Sequence, residues 1–303
     1  MDEELVSILI PVYNRVSLVG ETIESAINQT YKNIEIIIVD NFSTDGTWEL
    51  LQQYAGKDKR IQIYRNTENI GPVRNWICCA EKATGKFINI LFSDDIILPT
   101  FISETMNLFT NETAFVISKT QEFDDNATVA KYNYKNISEI DSNKFIKDKI
   151  IDNNYSFPNS PCSTLFRTND FIKSLIIEIP NPENLKHENY GAGNDVLIFL
   201  NIARYYPKIV FTKDYLVKFR SHKNSFTKTK DLRIYYFYTY LYFIKLYEPS
   251  LLSDFHTLLY LNSINNKNFK GIANYSKNKL SIKYMLKEIL RRLIYKLKKV
   301  LNA

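Results

Sequence analysis

The sequence predicts an α/β fold in which a mostly parallel sheet is flanked by helices, with a helical extension at the C-terminal end. Two observations support this prediction. In the first third of the 303-residue chain, short β-branched runs alternate with stretches of helical periodicity. Those runs lack polar alternation, which is typical of parallel strands that are buried on both faces.

Three strand–helix units and a fourth strand follow one another along this part of the chain. The strands are predicted over residues 6–10, 34–39, 61–64 and 87–92, and the helices over 17–29, 47–54 and 72–84. Ligands of such sheets bind beyond the carboxyl ends of the strands. We therefore expect the polar residues that follow the strands to meet at one rim. These residues are Tyr13, Asn14, Asp40, Asp94 and Asp95.

The later part of the chain is predicted in less detail. The Asn-rich segment 118–185 indicates short strands and helices, and a helix over 194–205 precedes a strand over 209–211. An aromatic helix over 232–247 is interpreted as packing. We assign residues 1–228 to the α/β domain, with a first half at 1–99 and a second half at 100–228. Residues 229–276 form a helical region and 277–303 a basic amphipathic helix.

Composition excludes several classes of protein. The chain is 45% hydrophobic, which is too apolar for a disordered protein. Its three cysteines are Cys78, Cys79 and Cys162, which form no metal-ligand spacing and no disulfide framework. The acidic N-terminus does not resemble a signal peptide, and no apolar stretch approaches the roughly 18 residues of a spanning helix. We therefore expect a reduced, cytoplasmic protein.

Positive charge is concentrated at the C-terminal end. Residues 277–303 hold nine Lys or Arg and one Glu, a net charge of +8, whereas the whole chain carries +6. The remaining 276 residues are thus slightly acidic, which argues against nucleic-acid binding. From Ile282 onwards, apolar residues recur at a spacing of three and four. This pattern predicts an amphipathic helix that docks peripherally on an anionic membrane, or alternatively packs on the body of the protein or on a partner helix.

The adjacent carboxylates of Asp94 and Asp95 form the strongest chemical signal. Hard oxygen ligands suit Mn²⁺ or Mg²⁺, and such ions usually also bind substrate phosphates. Tyr13 could stack on a nucleobase and Asp40 could accept one of its N–H groups. Taken singly, each of these residues is equally consistent with a helix cap, a loop or a packing role.

Four stretches resemble motifs of family-two inverting glycosyltransferases with the GT-A fold. They are Val6–Arg15, Ile38–Thr47, Asn69–Asn75 and Leu91–Asp95, in the family's order. The resemblance implies that Pro11, Tyr13 and Asp40 surround the base and that Arg74 reaches its edge. Asp94 and Asp95 would take the place of the D-x-D element, which binds the ribose and the metal. The remaining nucleotide-binding candidates from these motifs are Asn14, Asn69 and Ser93.

The family often has a further Asp, D-x-D-D, whose position is occupied here by Phe92. Asp94 and Asp95 are therefore the only carboxylate pair, and the sequence leaves open which of the two ligates the metal.

The second half resembles the family at two shorter patches. Asp195, within Gly191–Val196, fits the catalytic base, although Asn194 replaces the acid that usually precedes it. A carboxylate there could equally cap the following helix. The segment Phe219–Ser225 resembles an R-x-H-x-x-S loop. It implies that Arg220 and Ser225 contact phosphate and that His222 completes the metal shell or hydrogen-bonds a phosphate.

The resemblance implies a metal-dependent enzyme that transfers a sugar from a nucleotide-sugar to a hydroxyl group of a saccharide or lipid-linked saccharide. The expected donor is a UDP-sugar. The expected setting is cell-surface polysaccharide or O-antigen assembly at the inner face of the membrane. Two alternatives come from other classes. One is a nucleotidyltransferase, which would release pyrophosphate, and the other is a non-catalytic nucleotide-sugar-binding protein at the membrane.

Overall fold

A ten-stranded sheet organises the part of the chain that the computed structural model describes. The described residues are 4–124, 126–132, 134, 137–152, 157–221, 231–264 and 280–290. Neighbouring strands along the central path of the sheet are hydrogen-bonded, and their order is Ile61–Arg65, Ile34–Asp40, Val6–Val12, Phe87–Ile90, Thr164–Arg167, Thr113–Phe123, Lys208–Arg220 and Ile96–Ile97. Off this path, Thr128–Tyr132 pairs with Thr113–Phe123, and Glu139–Asp141 pairs with Lys208–Arg220.

The first third contains the predicted alternation of strands and helices. Its elements are β1 (Val6–Val12), α1 (Val19–Ile27), β2 (Ile34–Asp40), α2 (Thr47–Lys57), β3 (Ile61–Arg65), α3 (Pro72–Lys82) and β4 (Phe87–Ile90). The strand β1 lies between β2 and β4, and it is parallel to both. All residues of β1 and β2 are buried, which explains why their sequences lack polar alternation.

The sheet continues through strands from the second half of the chain. The elements are β5 (Ile96–Ile97), α4 (Phe101–Asn107), β6 (Thr113–Phe123), β7 (Thr128–Tyr132), β8 (Glu139–Asp141), α5 (Ser142–Lys147), β9 (Thr164–Arg167), α6 (Thr168–Ser174), α7 (Asn194–Ala203) and β10 (Lys208–Arg220). The strand β9 is antiparallel to β4 on one side and to β6 on the other. The strand β10 is parallel to β6 but antiparallel to β5 and β8. The predicted α/β fold with a sheet flanked by helices is therefore confirmed, and its parallel pairing is concentrated in the first four strands.

Two helices follow the sheet, α8 (Arg233–Tyr247) and α9 (Leu252–Ile264). The chain forms two compact units. The first consists of Met1–Ile146 and Tyr155–Thr239, and the second of Lys147–Asn154 and Tyr240–Ala303. These units are defined by compactness, and the predicted domain bounds at residues 228 and 276 stay predictions.

The core of the first unit lies between the sheet and helices such as α1, α2 and α4. Alternate residues of β1 and β2, among them Ile8, Ile10, Ile36 and Ile38, are fully buried there. Complete burial of one such aliphatic side chain stabilises the fold by about 1.5–3 kcal/mol. This packing fixes the parallel strands in one register and so brings their carboxyl ends together at one edge.

In the second unit, residues 282–290 form a helix, α10. This helix buries Tyr284, whose hydroxyl donates a hydrogen bond to the carbonyl of Ile151. By contrast, Ile282, Leu286 and Leu290 are exposed. The predicted continuation of the helix, residues 291–303, lies outside the described residues. Among the helices that are described, none has the length and apolar character needed to cross a bilayer.

Candidate active site

A cavity of about 1250 Å³ opens at the carboxyl edge of the parallel strands. It contains most of the residues that the sequence predicted for the site. The predicted residues on its wall are Pro11, Tyr13, Asn69, Arg74, Ser93, Asp94, Asp95, Asp195 and Arg220. Of the other predicted residues, His222 and Ser225 lie outside the described part of the chain.

Asp40 and Asn14 are not among the described residues that line the cavity. The Asp40 carboxylate is fully buried at the end of β2, where it accepts a hydrogen bond from the Ser43 N–H and pairs with Arg65 Nε at 3.1 Å. The Asn14 side chain accepts a hydrogen bond from the Thr44 N–H. Both side chains therefore hold the loops behind the wall, and their predicted contacts with a nucleotide stay predictions.

The Arg65 guanidinium lies between two aromatic rings, with Phe42 at 5.4 Å and Trp48 at 5.3 Å from its central carbon. Phe42 has a φ of +67°, a conformation that a bulky side chain rarely adopts. The turn after β2 is thus held by an ion pair that is enclosed by aromatic rings.

An asparagine network shapes the wall between β2 and α3. The Asn41 side chain donates to Asn69 Oδ1 at 2.8 Å and accepts from Asn66 Nδ2 at 2.9 Å. Asn66 also donates to Asn75 Oδ1, and Asn75 donates to the carbonyl of Val39. The network fixes the loop that leads into α3, the helix that carries Arg74. Asn41 and Asn75 lie within the sequence motifs, but their pattern does not reveal this role.

The acidic pair lies directly after β4 and is held by a distant part of the chain. Asp95 Oδ1 accepts a hydrogen bond from the Arg220 N–H at 3.0 Å, and Arg220 Nε donates to the Asp94 carbonyl at 3.1 Å. The guanidinium of Arg220 also pairs with Glu21 and lies 4.4 Å from the Phe123 ring. Arg220 therefore holds the Asp95 carboxylate through its backbone N–H and the Asp94 backbone through its guanidinium, in addition to lining the cavity.

The Asp95 carboxylate is buried and lies beside a second negative charge. Burial, followed by the charge of Asp94, raises the pKa of Asp95 well above its usual range, although Arg220 and the thiol of Cys162 donate hydrogen bonds to it. A cation at this place would offset both effects. The two carboxylates thus have the chemistry of a site for a hard divalent ion. Among the described residues, no group of three or more His, Cys, Asp or Glu forms a metal cluster.

Asp195 lies in the first turn of α7 and lines the same cavity. Its Oδ1 accepts hydrogen bonds from the N–H groups of Gly193 at 2.8 Å and Val196 at 2.7 Å. Its Oδ2 accepts one from the Tyr236 hydroxyl at 2.7 Å. The donors and the N-terminus of the helix favour the ionised carboxylate. The capping and base interpretations are compatible, because different oxygens serve them.

The neighbouring residue explains why the sequence departs from the family motif. Asn194 is buried, and its Nδ2 donates to the carbonyls of Ile176 and Ile177. A carboxylate at this position would have no donor for these carbonyls and would be buried with its charge. Asn194 therefore has a structural role, and Asp195 is the acid that faces the cavity.

Aromatic side chains that the sequence did not identify complete the wall. They include Trp76, Tyr190 and Tyr236. Gly191 and Gly193 both have positive φ, and a Cβ at either would collide with Trp76 or Thr239, respectively. The loop before Asp195 thus requires glycine at two positions, and the aromatic helix α8 contributes to the site as well as to packing.

A family model described as "Glycosyl transferase family 2" matches residues 7–174. A UDP-Glc:α-D-GlcNAc-diphosphoundecaprenol β-1,3-glucosyltransferase of Escherichia coli is 42% identical over 112 residues, which cover 37% of this chain and 44% of the relative. An uncharacterized glycosyltransferase of Haemophilus influenzae is 37% identical over 107 residues, covering 35% of this chain and 43% of the relative. The matched segments therefore span less than half of the length of these two proteins.

Solved structures of the same architecture extend the similarity over most of the chain. S. aureus TarS 1–349 in complex with UDP-GlcNAc superimposes with a TM-score of 0.66 at 17% identity, covering 86% of this chain and 74% of TarS. A mannosyltransferase of Pyrobaculum calidifontis in complex with GDP-Man and Mn²⁺ gives a TM-score of 0.53 at 13% identity, covering 95% and 86%. At these identities the likeness supports the fold alone.

Proposed function

The chain belongs to glycosyl transferase family 2 and has the GT-A fold, and from this we propose that it transfers a sugar from a UDP-sugar to a hydroxyl group of a saccharide or lipid-linked saccharide, with inversion. The observation that carries the proposal is that Asp195 and the Asp94–Asp95 pair line one cavity together with Tyr13 and Arg74. A base and a diphosphate site in one cavity are what a direct displacement needs.

In the proposed reaction, the acceptor oxygen attacks the anomeric carbon while Asp195 Oδ2 takes the hydroxyl proton. The bond from the anomeric carbon to the diphosphate oxygen breaks, and its electron pair leaves with the nucleoside diphosphate. A single displacement of this kind inverts the anomeric centre. The preorganised Asp195 carboxylate contributes an oriented base, an effect that is typically worth about 10²–10⁴ in rate.

Asp94 and Asp95 would hold the divalent cation, Mn²⁺ or Mg²⁺. When bound, the ion would neutralise charge on the leaving diphosphate. The carboxylate chemistry and the burial of Asp95 support this assignment, as does the Mn²⁺ that accompanies GDP-Man in the mannosyltransferase of similar fold. Arg220, and His222 and Ser225 beyond the described residues, stay predicted ligands of the metal or the phosphates.

UDP is the favoured nucleotide for two reasons. TarS is similar in fold and binds UDP-GlcNAc, and the glucosyltransferase relative of Escherichia coli uses UDP-Glc. That relative acts on a diphosphoundecaprenol-linked sugar, which supports an acceptor of the same class and a setting in cell-surface polysaccharide synthesis.

We further propose that α10 docks the protein peripherally on the inner face of the cell membrane. The helix buries Tyr284 and exposes the apolar face that contains Ile282, Leu286 and Leu290. Lys283 and Lys287 are exposed on the same helix, where Lys287 also pairs with Asp152 at 3.2 Å, and the segment 277–303 has a net charge of +8. Exposed apolar side chains among cationic ones suit an anionic lipid surface, where each basic residue adds about 1 kcal/mol.

The test is a donor panel. UDP-, GDP- and dTDP-sugars are incubated with the protein, Mn²⁺ and a GlcNAc-diphosphate-lipid acceptor, and nucleoside diphosphate and saccharide product are measured. We expect UDP release that depends on the acceptor.

The Asp195→Asn variant should lose about 10²–10⁴ in transfer rate while it binds UDP as the wild type does. Wild-type transfer by this variant would remove Asp195 as the base. Pyrophosphate release from a nucleoside triphosphate would favour the nucleotidyltransferase, and UDP-sugar binding without transfer would favour the binding protein.

A further inference from the structure

The aromatic helix α8 contributes a polar group to the cavity at a point where the sequence predicts packing only. Tyr236 lines the cavity, and its hydroxyl donates a 2.7 Å hydrogen bond to Asp195 Oδ2. The two residues are 41 positions apart in the sequence. A bond between helices so distant along the chain depends on the tertiary fold, which is why sequence periodicity does not reveal it.

The two oxygens of Asp195 have different surroundings. Oδ1 accepts from two backbone N–H groups in the loop and first turn of its own helix, those of Gly193 and Val196. These bonds hold Oδ1 at the helix terminus. Oδ2 accepts from Tyr236, whose side chain lies at the cavity wall. Oδ2 is therefore the oxygen that an acceptor hydroxyl can approach from the cavity.

We propose that Tyr236 is a positioning residue that fixes the rotation of the Asp195 carboxylate and so directs Oδ2 at the acceptor hydroxyl. The inference rests on the proposed role of Asp195 as the base. Rotation about the Cβ–Cγ bond of an aspartate has a low barrier. Two backbone donors on one oxygen therefore define the orientation of the other oxygen poorly. A third donor from another element defines the plane of the carboxylate.

The same hydrogen bond sets how readily the base is protonated. A donor to a carboxylate stabilises its ionised form, so its removal lets the protonated form persist to higher pH. Transfer requires the ionised base, and the rate falls on the acidic side as the carboxylate takes up a proton. Loss of the Tyr236 hydroxyl should therefore move the acidic limb of the pH profile to higher pH.

Other titratable groups around Asp195 are the same in the wild type and the variant. Tyr132 of β7 is close enough for the charge of Asp195 to act on it. Burial, the largest cause, raises the pKa of Tyr132, which keeps this phenol neutral. Among the described residues, the other charged groups of the cavity wall are Arg15, Glu68, Arg74, Asp94, Asp95 and Arg220. Because none of them changes, the shift between the two profiles reports the hydroxyl of Tyr236.

The experiment compares Tyr236→Phe with Tyr238→Phe across pH in the sugar-transfer assay. Tyr238 is a matched control because it lies on the same helix and donates an equally short bond, 2.7 Å, to the carboxylate of Glu183. We expect Tyr236→Phe to lower kcat by about 10–100-fold with KM for the UDP-sugar within about twofold of the wild type. Its acidic limb should move up by about 1 pH unit. Tyr238→Phe should leave the limb in place.

Calorimetry of UDP binding and the melting temperature accompany each variant. A Tyr236→Phe profile that keeps its wild-type shape, whatever its height, would overturn the proposal, since a purely structural loss scales the rate equally at every pH. The Asp195→Asn variant separates the two levels of inference. If that variant transfers sugar normally, the base assignment fails; if it is inactive while the limb of Tyr236→Phe is unmoved, only the positioning role fails.

Discussion

At the scale of single residues, the acidic pair gives the most direct test of the proposed metal site. Asp95→Ala and Asp94→Ala should each weaken Mn²⁺-dependent UDP binding by at least about tenfold, because carboxylate ligands of a metal are hard to replace. Calorimetry with and without Mn²⁺ measures this effect. The exposed Asp214 of β10 provides the control, and Asp214→Ala should bind as the wild type does. Normal Mn²⁺ and UDP binding by both cavity variants would place the metal elsewhere.

A second residue-scale prediction concerns Glu35, at the other edge of the sheet. Its Oε1 accepts hydrogen bonds from the Ser7 hydroxyl at 2.6 Å and from the Thr84 and Gly85 N–H groups at 2.7 and 3.1 Å. Burial alone raises the pKa of Glu35, but these donors together lower it below its ordinary value. The ionised form therefore stabilises the fold above the ordinary pKa, and this contribution is lost as the pH falls through the folded-state pKa.

Glu35→Gln should accordingly lower the free energy of unfolding by about 1–3 kcal/mol at neutral pH. The difference from the wild type should shrink below about pH 4. Urea unfolding at several pH values measures it, with the exposed Glu49→Gln as a control that leaves stability unchanged. A deficit that is independent of pH would contradict the role of the charge.

At the scale of elements, the loop that leads into α7 depends on backbone conformation. Gly193 has a φ of +94°, and a Cβ there would collide with Thr239. Gly193→Ala should therefore destabilise the protein by about 1–3 kcal/mol and disturb the base that follows it. Gly56 of α2 is the control position, because it is exposed and a Cβ added there would contact no atom within 4 Å outside its chain neighbours and the backbone of its own helix. Gly56→Ala should stabilise by about 0.5–1 kcal/mol. Denaturant unfolding compares the two, and equal stability of Gly193→Ala and the wild type would exclude strain at this loop.

The elements of the first third could be predicted because their signals are local. β1 to β4 are apolar runs bounded by turns, and α3 begins at Pro72, so pattern and boundary agree to within a few residues. Local patterns do not divide the segment 118–185 into elements, since β9 is placed between β4 and β6 by antiparallel partners far away in sequence. The strand β10 extends well beyond the predicted 209–211 for the same reason.

The candidate site divides in a similar way. Motifs and strand ends predicted the acidic pair, Arg74 and Asp195 as site residues, and all four line the cavity. They did not reveal that Asp40 lies behind the wall in an ion pair with Arg65, or that Tyr236 faces Asp195. Both facts depend on where one polar side chain points in the folded protein. Hydrophobic periodicity shows which face of a helix or strand is buried, but it does not show the partner of a polar side chain.

At the scale of the whole molecule, the exposed face of α10 predicts membrane binding that a single introduced negative charge reduces. Leu286 and Leu290 are 65% and 59% exposed. Leu286→Glu and Leu290→Glu should therefore reduce co-sedimentation with anionic vesicles without affecting UDP binding. Leu246→Glu is a matched control, since Leu246 is 52% exposed on a different helix. Binding of the wild type should fall with salt. Equal vesicle binding by all variants would contradict docking through this face.

The link between Asp95 and the backbone of Arg220 has a consequence for the protein's synthesis. These residues are 125 positions apart, so at about 5–20 residues per second the ribosome needs about 6–25 s to reach the second after the first. During that interval the residues of β1 to β4 have been synthesised, but the donor that β10 provides to the Asp95 carboxylate has not. The ordered acidic pair, and with it the proposed metal site, therefore depends on a residue that is added late in translation.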